Sequence, residues 1–312
     1  MIFLKIIYKI TKNDENKELK IVLKKKLYIS SKLLLKLKQT NSIFVNNSPT
    51  FVSNKVKKGD EILIDLDNMQ NILNKSNIKF SDKYELDSSL INILYEDDYI
   101  LIVDKPAKIA VHPSCSNYEH TLSNMVANYL EKQNIYSIHI ITRLDKDTSG
   151  ICIFAKNEYI QELFVRKKDD ISFKKEYIVV VNGIINDDHG IIEKPIARKE
   201  DSIITREINY EKGDYAKTEY EVIKRNLKKN YTTLKAILHT GRTHQIRVHF
   251  AYNGHILLGD DIYAKDLNYT EDIRKYINRQ ALHCHKVSFN HPITNEKIEI
   301  ESKIPVDIKR LL

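Results

Sequence analysis

The sequence is poor in the residue types that build disulfide frameworks, zinc sites and phosphate-binding loops. Its 312 residues include only three cysteines and eight glycines. Cys115, Cys152 and Cys284 are odd in number and far apart, which argues against disulfides and favours a reducing cytoplasm. Because no Cys-x-x-Cys pair occurs, we expect no zinc site, and the sequence has no Gly-rich phosphate-binding loop.

Long apolar runs are also missing. The longest, such as residues 151–155 and 178–181, have the length of a strand and fall far short of the roughly 20 residues of a membrane span. Lysines interrupt the apolar N-terminus and no small-residue cleavage site follows, so we expect neither a signal peptide nor a membrane association. With 42% hydrophobic residues the chain can bury a substantial core, and its length suggests about two globular domains.

Positive charge is concentrated at the N-terminus. Residues 1–65 contain 14 lysines against six acidic residues, and the remaining 247 residues are neutral overall, although the whole chain has a net charge of +8. This asymmetry favours an N-terminal module that faces nucleic acid. The alternative is a codon bias toward Lys, Asn and Ile, since the whole chain is rich in all three.

The N-terminal sequence predicts a small module of helices and strands. Residues 19–39 carry two helix-sized patterns, interrupted near Ser30 and Ser31, either of which can cap the second helix. Short strand patterns follow at 42–50 and 55–66, with turn residues between them.

Two small basic helices and a β-hairpin resemble the S-four-like RNA-binding domain, which is named for a small-subunit ribosomal protein. The resemblance implies that residues 1–68 bind RNA phosphates through exposed lysines. A generic basic α+β mini-domain is the alternative. The lysines expected to project from the second helix are Lys32, Lys36 and Lys38.

A second domain is expected after a polar linker at residues 69–89. From residue 90 to 312 short strand patterns dominate, and helical patterns interrupt them. We therefore predict an α+β fold whose second domain has a mixed, mainly antiparallel sheet with flanking helices. The predicted helices of this domain lie at 120–133, 157–168 and 270–279.

A polar segment, residues 143–150, reads R-L-D-K-D-T-S-G and lies between two apolar strand patterns. It matches the start of a calcium loop, but that loop needs an acid at its twelfth position, where this chain has Lys156. A charged turn also fits the composition. Alternate residues at a strand end share one face, so Arg143 and Asp145 can both face a cleft. Such a carboxylate can act as a nucleophile or base.

This segment and several others resemble the motifs of the RluA-type pseudouridine synthases. The family surrounds its catalytic aspartate with H-R-L-D-x-x-T-S-G, and here Thr142 replaces the histidine, which puts one contact beside the aspartate in doubt. Further matches in the family's order span nearly all of the chain after the linker. They are D-K-P at 104–106, H-P at 112–113, K-x-Y at 175–177, T-G-R-T-H-Q-I-R-V-H at 240–249, G-D-x-x-Y at 259–263 and the closing strands from 281.

The resemblance implies an enzyme that detaches uracil from its ribose, turns it and rejoins it through carbon 5, with no cofactor and no metal. In this chain the catalytic residues implied are Asp145 as the carboxylate, Arg247 as its cationic partner and Tyr177 as the ring that packs on uracil. Arg143 is implied to fill the place that the target base vacates. The other predicted RNA contacts are Thr148, Arg242, His244 and Gln245.

The partner implied is structured RNA, large-subunit ribosomal RNA before transfer RNA, and the chain is expected to act as a monomer. The alternative function is a non-catalytic RNA-binding or ribosome-assembly factor on the same fold, which would have no need of the carboxylate at Asp145. The sequence does not choose between attack by Asp145 on the sugar and a route through a glycal.

Overall fold

The computed structural model describes residues 5–69, 72, 91–113, 120–269 and 272–312. Within these ranges the named helices are α1 (Leu19–Lys25), α2 (Ser31–Gln39), α3 (Leu122–Glu131), α4 (Glu158–Arg166), α5 (Lys168–Ile171), α6 (Gln245–Tyr252), α7 (Asp261–Asp266) and α8 (Val306–Lys309), with a 3-10 turn at Lys12–Asp14. Residues 66–69 are also helical. The strands are β1 (Lys5–Lys9), β2 (Ile43–Val45), β3 (Ser48–Pro49), β4 (Glu61–Asp65), β5 (Asn92–Glu96), β6 (Ile100–Lys105), β7 (His139–Ile140), β8 (Ser149–Ala155), β9 (Lys174–Asn182), β10 (His189–Glu193), β11 (Ile196–Arg198), β12 (Arg206–Ile208), β13 (Lys217–Asn226), β14 (Tyr231–Leu238), β15 (Leu282–Asn290) and β16 (Lys297–Glu301).

The N-terminal module, residues 5–69, packs α1 and α2 on a sheet of order β1-β4-β2-β3. The predicted cap of α2 is present, because the Ser30 hydroxyl accepts a hydrogen bond from the Leu33 N–H at 2.9 Å. Asn46 and Asn47 both adopt positive φ in the two-residue turn between β2 and β3, as a type I′ hairpin requires. The strand pattern at 55–66 forms a strand only over β4, and β1 has no counterpart in the sequence prediction.

Helix α4 contacts this module. The Ser30 N–H donates to Glu162 at 2.9 Å, and Glu158 forms an ion pair with Lys36 and lies 3.7 Å from Lys32. Two of the three lysines predicted to bind RNA therefore have an acidic partner inside the chain. The predicted linker, residues 69–89, lies almost entirely outside the described residues.

The large sheet confirms the predicted α+β architecture. Its strand order is β10-β13-β14-β9-β15-β8-β6-β5, with β16 paired to β15 and β7 to β8. Its neighbours are antiparallel except for β8 and β15, which run parallel. Along β9, Tyr177 and Val179 enter one core cluster while Ile178 and Val180 enter another, so the sheet is buried on both faces.

Helices α3 and α4 confirm two of the three helices predicted for this domain. The third prediction is wrong for the part that the structure describes, since residues 272–279 form turns and bends. The carbonyl of Ile273 accepts from the Gly259 N–H at 2.8 Å, and Ile273 and Ile277 are both buried. A contact distant in sequence thus takes a carbonyl that a helix would have used. In the described ranges no helix is long and apolar enough to cross a membrane.

Gly150 sets the distance between the two parallel strands. Its φ is +111°, and a Cβ added there would lie 2.2 Å from the carbonyl oxygen of Cys284 on β15. No side chain fits that space, and L-residues rarely adopt that backbone conformation. The strand that follows the segment 143–150 can approach β15 only because residue 150 is glycine.

We predict that Gly150→Ala lowers the free energy of unfolding by about 3 kcal/mol, because the strands must separate and the backbone is strained. Gly254→Ala is the matched control. Gly254 also has positive φ, at +83°, but nothing lies within 4 Å of an added Cβ. Its cost should stay near 1 kcal/mol. Urea denaturation measures both, and equal losses would contradict the role given to Gly150.

Candidate active site

The loop of residues 142–148 carries Asp145 and joins β7 to β8. Thr142 anchors its start, since the Thr142 hydroxyl accepts from the Ile153 N–H at 2.9 Å and the Thr142 N–H donates to the Ile153 carbonyl at 3.3 Å. At the other end the Thr148 N–H donates to the Asp145 carbonyl at 3.1 Å. The threonine that departs from the family motif therefore holds the loop on β8 by its hydroxyl and backbone.

Two buried cations, Lys105 and Arg279, donate hydrogen bonds to backbone carbonyls of this loop. Lys105 is fully buried, and its ammonium donates to the carbonyls of Pro106, Ile109 and Lys146 at 2.8–2.9 Å. Burial lowers the pKa of Lys105 to about 8, so the ammonium keeps its proton at pH 7. All three of its protons are used by backbone oxygens. Lys105 acts on the loop and not on a ligand.

Arg279 is the second of these cations. It donates to the Asp147 carbonyl at 3.1 Å and to the Ser149 hydroxyl at 3.3 Å, and it pairs with Asp307 through Nε at 2.7 Å and Nη2 at 3.0 Å. The consecutive carbonyls of residues 146 and 147 thus each accept from a different cation. The C-terminal helix α8, which carries Asp307, thereby supports the loop that carries Asp145.

Arg247 donates hydrogen bonds to two carboxylates, those of Asp260 and Asp145. Its Nε and Nη2 donate to Asp260 at 2.6 and 2.8 Å, and its Nη1 donates to Asp145 at 2.9 Å. The Tyr263 ring lies 5.1 Å from the guanidinium carbon. Burial on its own would lower the pKa of Arg247, but the hydrogen bonds and charges of Asp260 and Asp145 raise it, so Arg247 remains charged. The predicted pairing of Asp145 with Arg247 is present in the structure.

His244 lies beside this pair in a strained position. Its φ is +58°, immediately before α6, and its Nδ1 is 3.1 Å from the Tyr263 hydroxyl. Its Nε2 is 3.7 Å from Asp145, beyond hydrogen-bond distance. Burial lowers the pKa of His244, so the imidazole is neutral at pH 7. Arg247 is therefore the charged neighbour of Asp145, and His244 supplies a polar edge.

An open cavity lies over Asp145. Tyr177 and Leu282 form part of its lining, together with the backbone at Gly241. Tyr177 is buried, on a central strand, and burial raises the pKa of its phenol, so the proton stays on the oxygen at neutral pH. A flat ring beside one carboxylate suits a planar base whose sugar faces Asp145.

The predicted RNA contacts occupy different environments. Arg143 is exposed and lines the cavity, and Arg242 is exposed beside it, where it donates to the Tyr215 carbonyl and contacts Asp214. Thr148 is buried and accepts from Gln280. Only the two arginines of this set present charge at the entrance.

Gln245 has no capacity left for a ligand. Its amide oxygen accepts from the Thr240 hydroxyl and the Arg242 N–H, and its amide nitrogen donates to the Lys217 carbonyl and the Thr218 hydroxyl. These four bonds use every donor and acceptor of the side chain. Gln245 holds the segment 240–245 on β13, and we do not assign it to RNA.

The sequence interpretation left Asp260, Lys105 and Arg279 without a role. Asp260 and Lys105 lie in motifs that were recognised, G-D-x-x-Y and D-K-P, so the signal was in the sequence, but their partners are distant in the chain. Arg279 had no motif to mark it. In the described ranges no cluster of three or more His, Cys, Asp or Glu side chains could hold a metal.

Comparison with known proteins identifies the family. A family model described as RNA pseudouridylate synthase matches residues 99–252. The RNA pseudouridine synthase YhcT of Bacillus subtilis is 34% identical over 93% of this chain and 90% of its own length. This chain belongs to the RNA pseudouridine synthase family. Ribosomal large subunit pseudouridine synthase D of Neisseria meningitidis is 34% identical over 91% of this chain and 74% of its own.

A solved structure shows the same fold. Human RNA Pseudouridylate Synthase Domain Containing 1 superimposes with a TM-score of 0.55 and 22% identity, over 69% of this chain and 84% of its own. The family match covers Asp145, Tyr177 on β9 and Arg247 on α6, whereas Asp260, Tyr263 and Arg279 lie beyond its end at residue 252.

We predict that Asp260→Asn lowers the free energy of unfolding by about 3 kcal/mol, because it removes a charge from a buried pair. The rate of pseudouridine formation should also fall, since Arg247 loses the partner that orients it. Asp261→Asn is the control, because Asp261 pairs with the exposed Arg274 and surface pairs contribute at most about 1 kcal/mol. Similar denaturation curves for the two variants would refute the role of Asp260.

Proposed function

We propose that this pseudouridine synthase uses Asp145 as its catalytic carboxylate. The observation that carries the proposal is the 2.9 Å hydrogen bond from Arg247 to Asp145 at the wall of a cavity that also contains Tyr177. Arg247 is already oriented by Asp260, so the carboxylate is held in place before a substrate binds.

The reaction breaks the bond between C1′ of ribose and N1 of uracil and forms a bond between C1′ and C5. Asp145 either attacks C1′ and becomes a sugar ester, or removes the proton from C2′ to leave a glycal. Both routes start from the same ionised carboxylate beside the sugar. In the last step C5 loses its proton, which restores the C5–C6 double bond of the uracil ring.

We assign Tyr177 to stacking on the extracted uracil. Its buried position on β9 and its raised pKa support a role as a ring surface, and a phenol that keeps its proton is a poor base. The target base must leave its helical stack, which costs a few kcal/mol. We assign Arg143 to filling the vacated space and contacting the RNA backbone, and its exposure at the entrance supports this role.

The RNA that we propose as substrate is large-subunit ribosomal RNA, with transfer RNA second. The relative from Neisseria meningitidis is named for the ribosomal large subunit, and the match covers most of both chains. A non-catalytic binding factor is the other candidate function, but nothing in pure RNA binding requires a buried Asp260–Arg247–Asp145 arrangement. Cys152 and Cys284 are buried free thiols, which supports a reducing cytoplasm, and we propose a monomer.

Replacing Asp145 with Asn should reduce pseudouridine formation by at least about 10³-fold and leave the fold stable, since Arg247 keeps its bonds to Asp260. The control is Asp147→Asn, two residues further along the same loop. Large-subunit RNA from a deletion strain complemented with each variant should lack a pseudouridine only with Asp145→Asn. Normal modification by that variant would end the catalytic assignment, and normal cell growth without modification would favour the binding-factor function.

The N-terminal module should add phosphate contacts without reading sequence. We predict that the combined variant Lys32→Gln, Lys36→Gln, Lys38→Gln weakens RNA binding and lowers the slope of log affinity against log salt by up to about 2. The slope is measured by titration at several salt concentrations. The control neutralises exposed lysines of the large domain, Lys228, Lys297 and Lys309. Equal slopes for the two variants would contradict an RNA contact through α2.

A further inference from the structure

Lys175 differs from the other cations near the active site. It lies two residues before Tyr177 on β9, so both side chains are on the same face of the strand, about 7 Å apart. It lines the cavity over Asp145 and also a second cavity next to it, with Gly241 and Arg143 common to both. A Cβ on Gly241 would lie 3.6 Å from the Lys175 ammonium.

This ammonium lacks a protein acceptor. Within the described ranges the Lys175 side chain makes no hydrogen bond and no ion pair, and its neighbours are the Phe173 ring at 5.8 Å and the thiols of Cys152 and Cys284. Burial lowers the pKa of Lys175. The side chain is half-buried and lines two open cavities, so a ligand there can accept a hydrogen bond from the ammonium. Lys105, by contrast, uses all three of its protons on backbone oxygens.

The proposed reaction produces a charge at this position. When the bond between C1′ and N1 breaks, its electron pair stays on N1 and spreads over the uracil oxygens O2 and O4. The electrons that C1′ needs come from the Asp145 carboxylate in the ester route, or from the C2′–H bond in the glycal route with the proton passing to Asp145. Uracil therefore exists as an anion until C5 attacks C1′. That attack breaks the ester bond and releases Asp145 in the first route, or is accompanied by return of the proton from Asp145 to C2′ in the second. C5 then loses its proton and N1 gains one.

The other cations are committed elsewhere. Arg247 serves Asp145 and Asp260, Lys105 and Arg279 serve the loop backbone, and Arg143 is exposed at the entrance. A ring stacked on Tyr177 would direct one edge along β9 toward Lys175. We propose that the Lys175 ammonium binds the detached uracil anion by donating a hydrogen bond to a ring oxygen. This inference rests on the proposed function of Asp145.

The test compares two leaving groups. Large-subunit RNA is transcribed with uridine or with 5-fluorouridine, whose fluorine withdraws electrons and stabilises the detached base as an anion. Single-turnover loss of the target nucleoside is followed by nuclease digestion and chromatography. Lys175→Met should slow the uridine reaction by about 10²–10³-fold, as loss of one donor to a developing anion does. With 5-fluorouridine the loss should be at least about 10-fold smaller.

Lys174→Met is the matched control, since Lys174 is exposed and one residue away on the same strand. It should leave both rates unchanged. A second anion that could meet Lys175 is a backbone phosphate. In that case, or if Lys175 only supports the fold, Lys175→Met would slow both substrates by the same factor, and the proposal would be wrong.

Stability provides an independent measurement. Because Lys175→Met replaces an unpaired ammonium with an apolar chain of similar length, its melting temperature should equal or exceed that of the wild type. A lower melting temperature together with equal losses on both substrates would assign Lys175 to the fold. Lys175→Arg retains the charge and should recover part of the uridine rate. No recovery, with Lys175→Met equally slow on both substrates, would also overturn the proposal.

The two proposals fail in different ways. If the wild type forms no pseudouridine, or if Asp145→Asn remains active, the proposed function itself is wrong. If the wild type is active, Asp145→Asn is inactive and Lys175→Met slows both substrates equally, only the role of Lys175 is wrong.

Discussion

The site depends on the hydrogen bonds that the Arg247 guanidinium donates to two carboxylates at once. Asp260 takes Nε and Nη2, which leaves Nη1 directed at Asp145. A guanidinium holds its donors in one plane, so fixing one edge on Asp260 fixes the direction of the remaining donor. The Tyr263 ring lies against the same group. Asp145 therefore binds to a donor whose position other residues have already determined, and little reorganisation is left for the reaction.

The loop that carries Asp145 is also held by hydrogen bonds to its backbone. Carbonyls 146 and 147 accept from Lys105 and Arg279, while Thr142 bonds to β8. Because the carboxylate and the carbonyls are bound by different groups, neither the side chain nor the backbone can move without breaking charge-assisted hydrogen bonds. The close approach of Gly150 to β15 limits the loop further. The position of Asp145 is set by the packing around a loop rather than by a helix or a strand.

Sequence reasoning succeeded where the pattern was local. Helix α2 was predicted because a serine cap precedes leucines at helical spacing, and the mainly antiparallel sheet followed from short alternating strands. Helix α6 was missed because all its residues except Tyr252 are buried, so no polar face marks its period. The helix predicted at 270–279 is wrong in its described part for a different reason. The apolar spacing there suits a helix, but the Ile273 carbonyl accepts a hydrogen bond from the distant Gly259 N–H.

The same difference between local and distant contacts explains which residues of the site could be predicted. Asp145 and Arg247 were paired through family resemblance, although 102 residues separate them and no local pattern joins them. Asp260 stood in a recognised motif, but only the folded chain shows that it orients Arg247. Lys36 was expected to bind RNA as an exposed lysine, and its partner Glu158 is 122 residues away. Partners that distant are set by topology, which short-range patterns do not encode.

The cations around the loop differ in whether the folded chain supplies acceptors for their hydrogen bonds. Lys105, Arg247 and Arg279 are buried and fully engaged with backbone oxygens or carboxylates, so the folded protein compensates their desolvation. Among the described residues the half-buried Lys175 side chain binds neither, and it lines the cavity beside Asp145. Charged side chains without a partner in the folded chain concentrate at sites where a ligand supplies that partner. In the reaction that we propose, the detached uracil anion is that partner, and it is present only while the bond to ribose is broken.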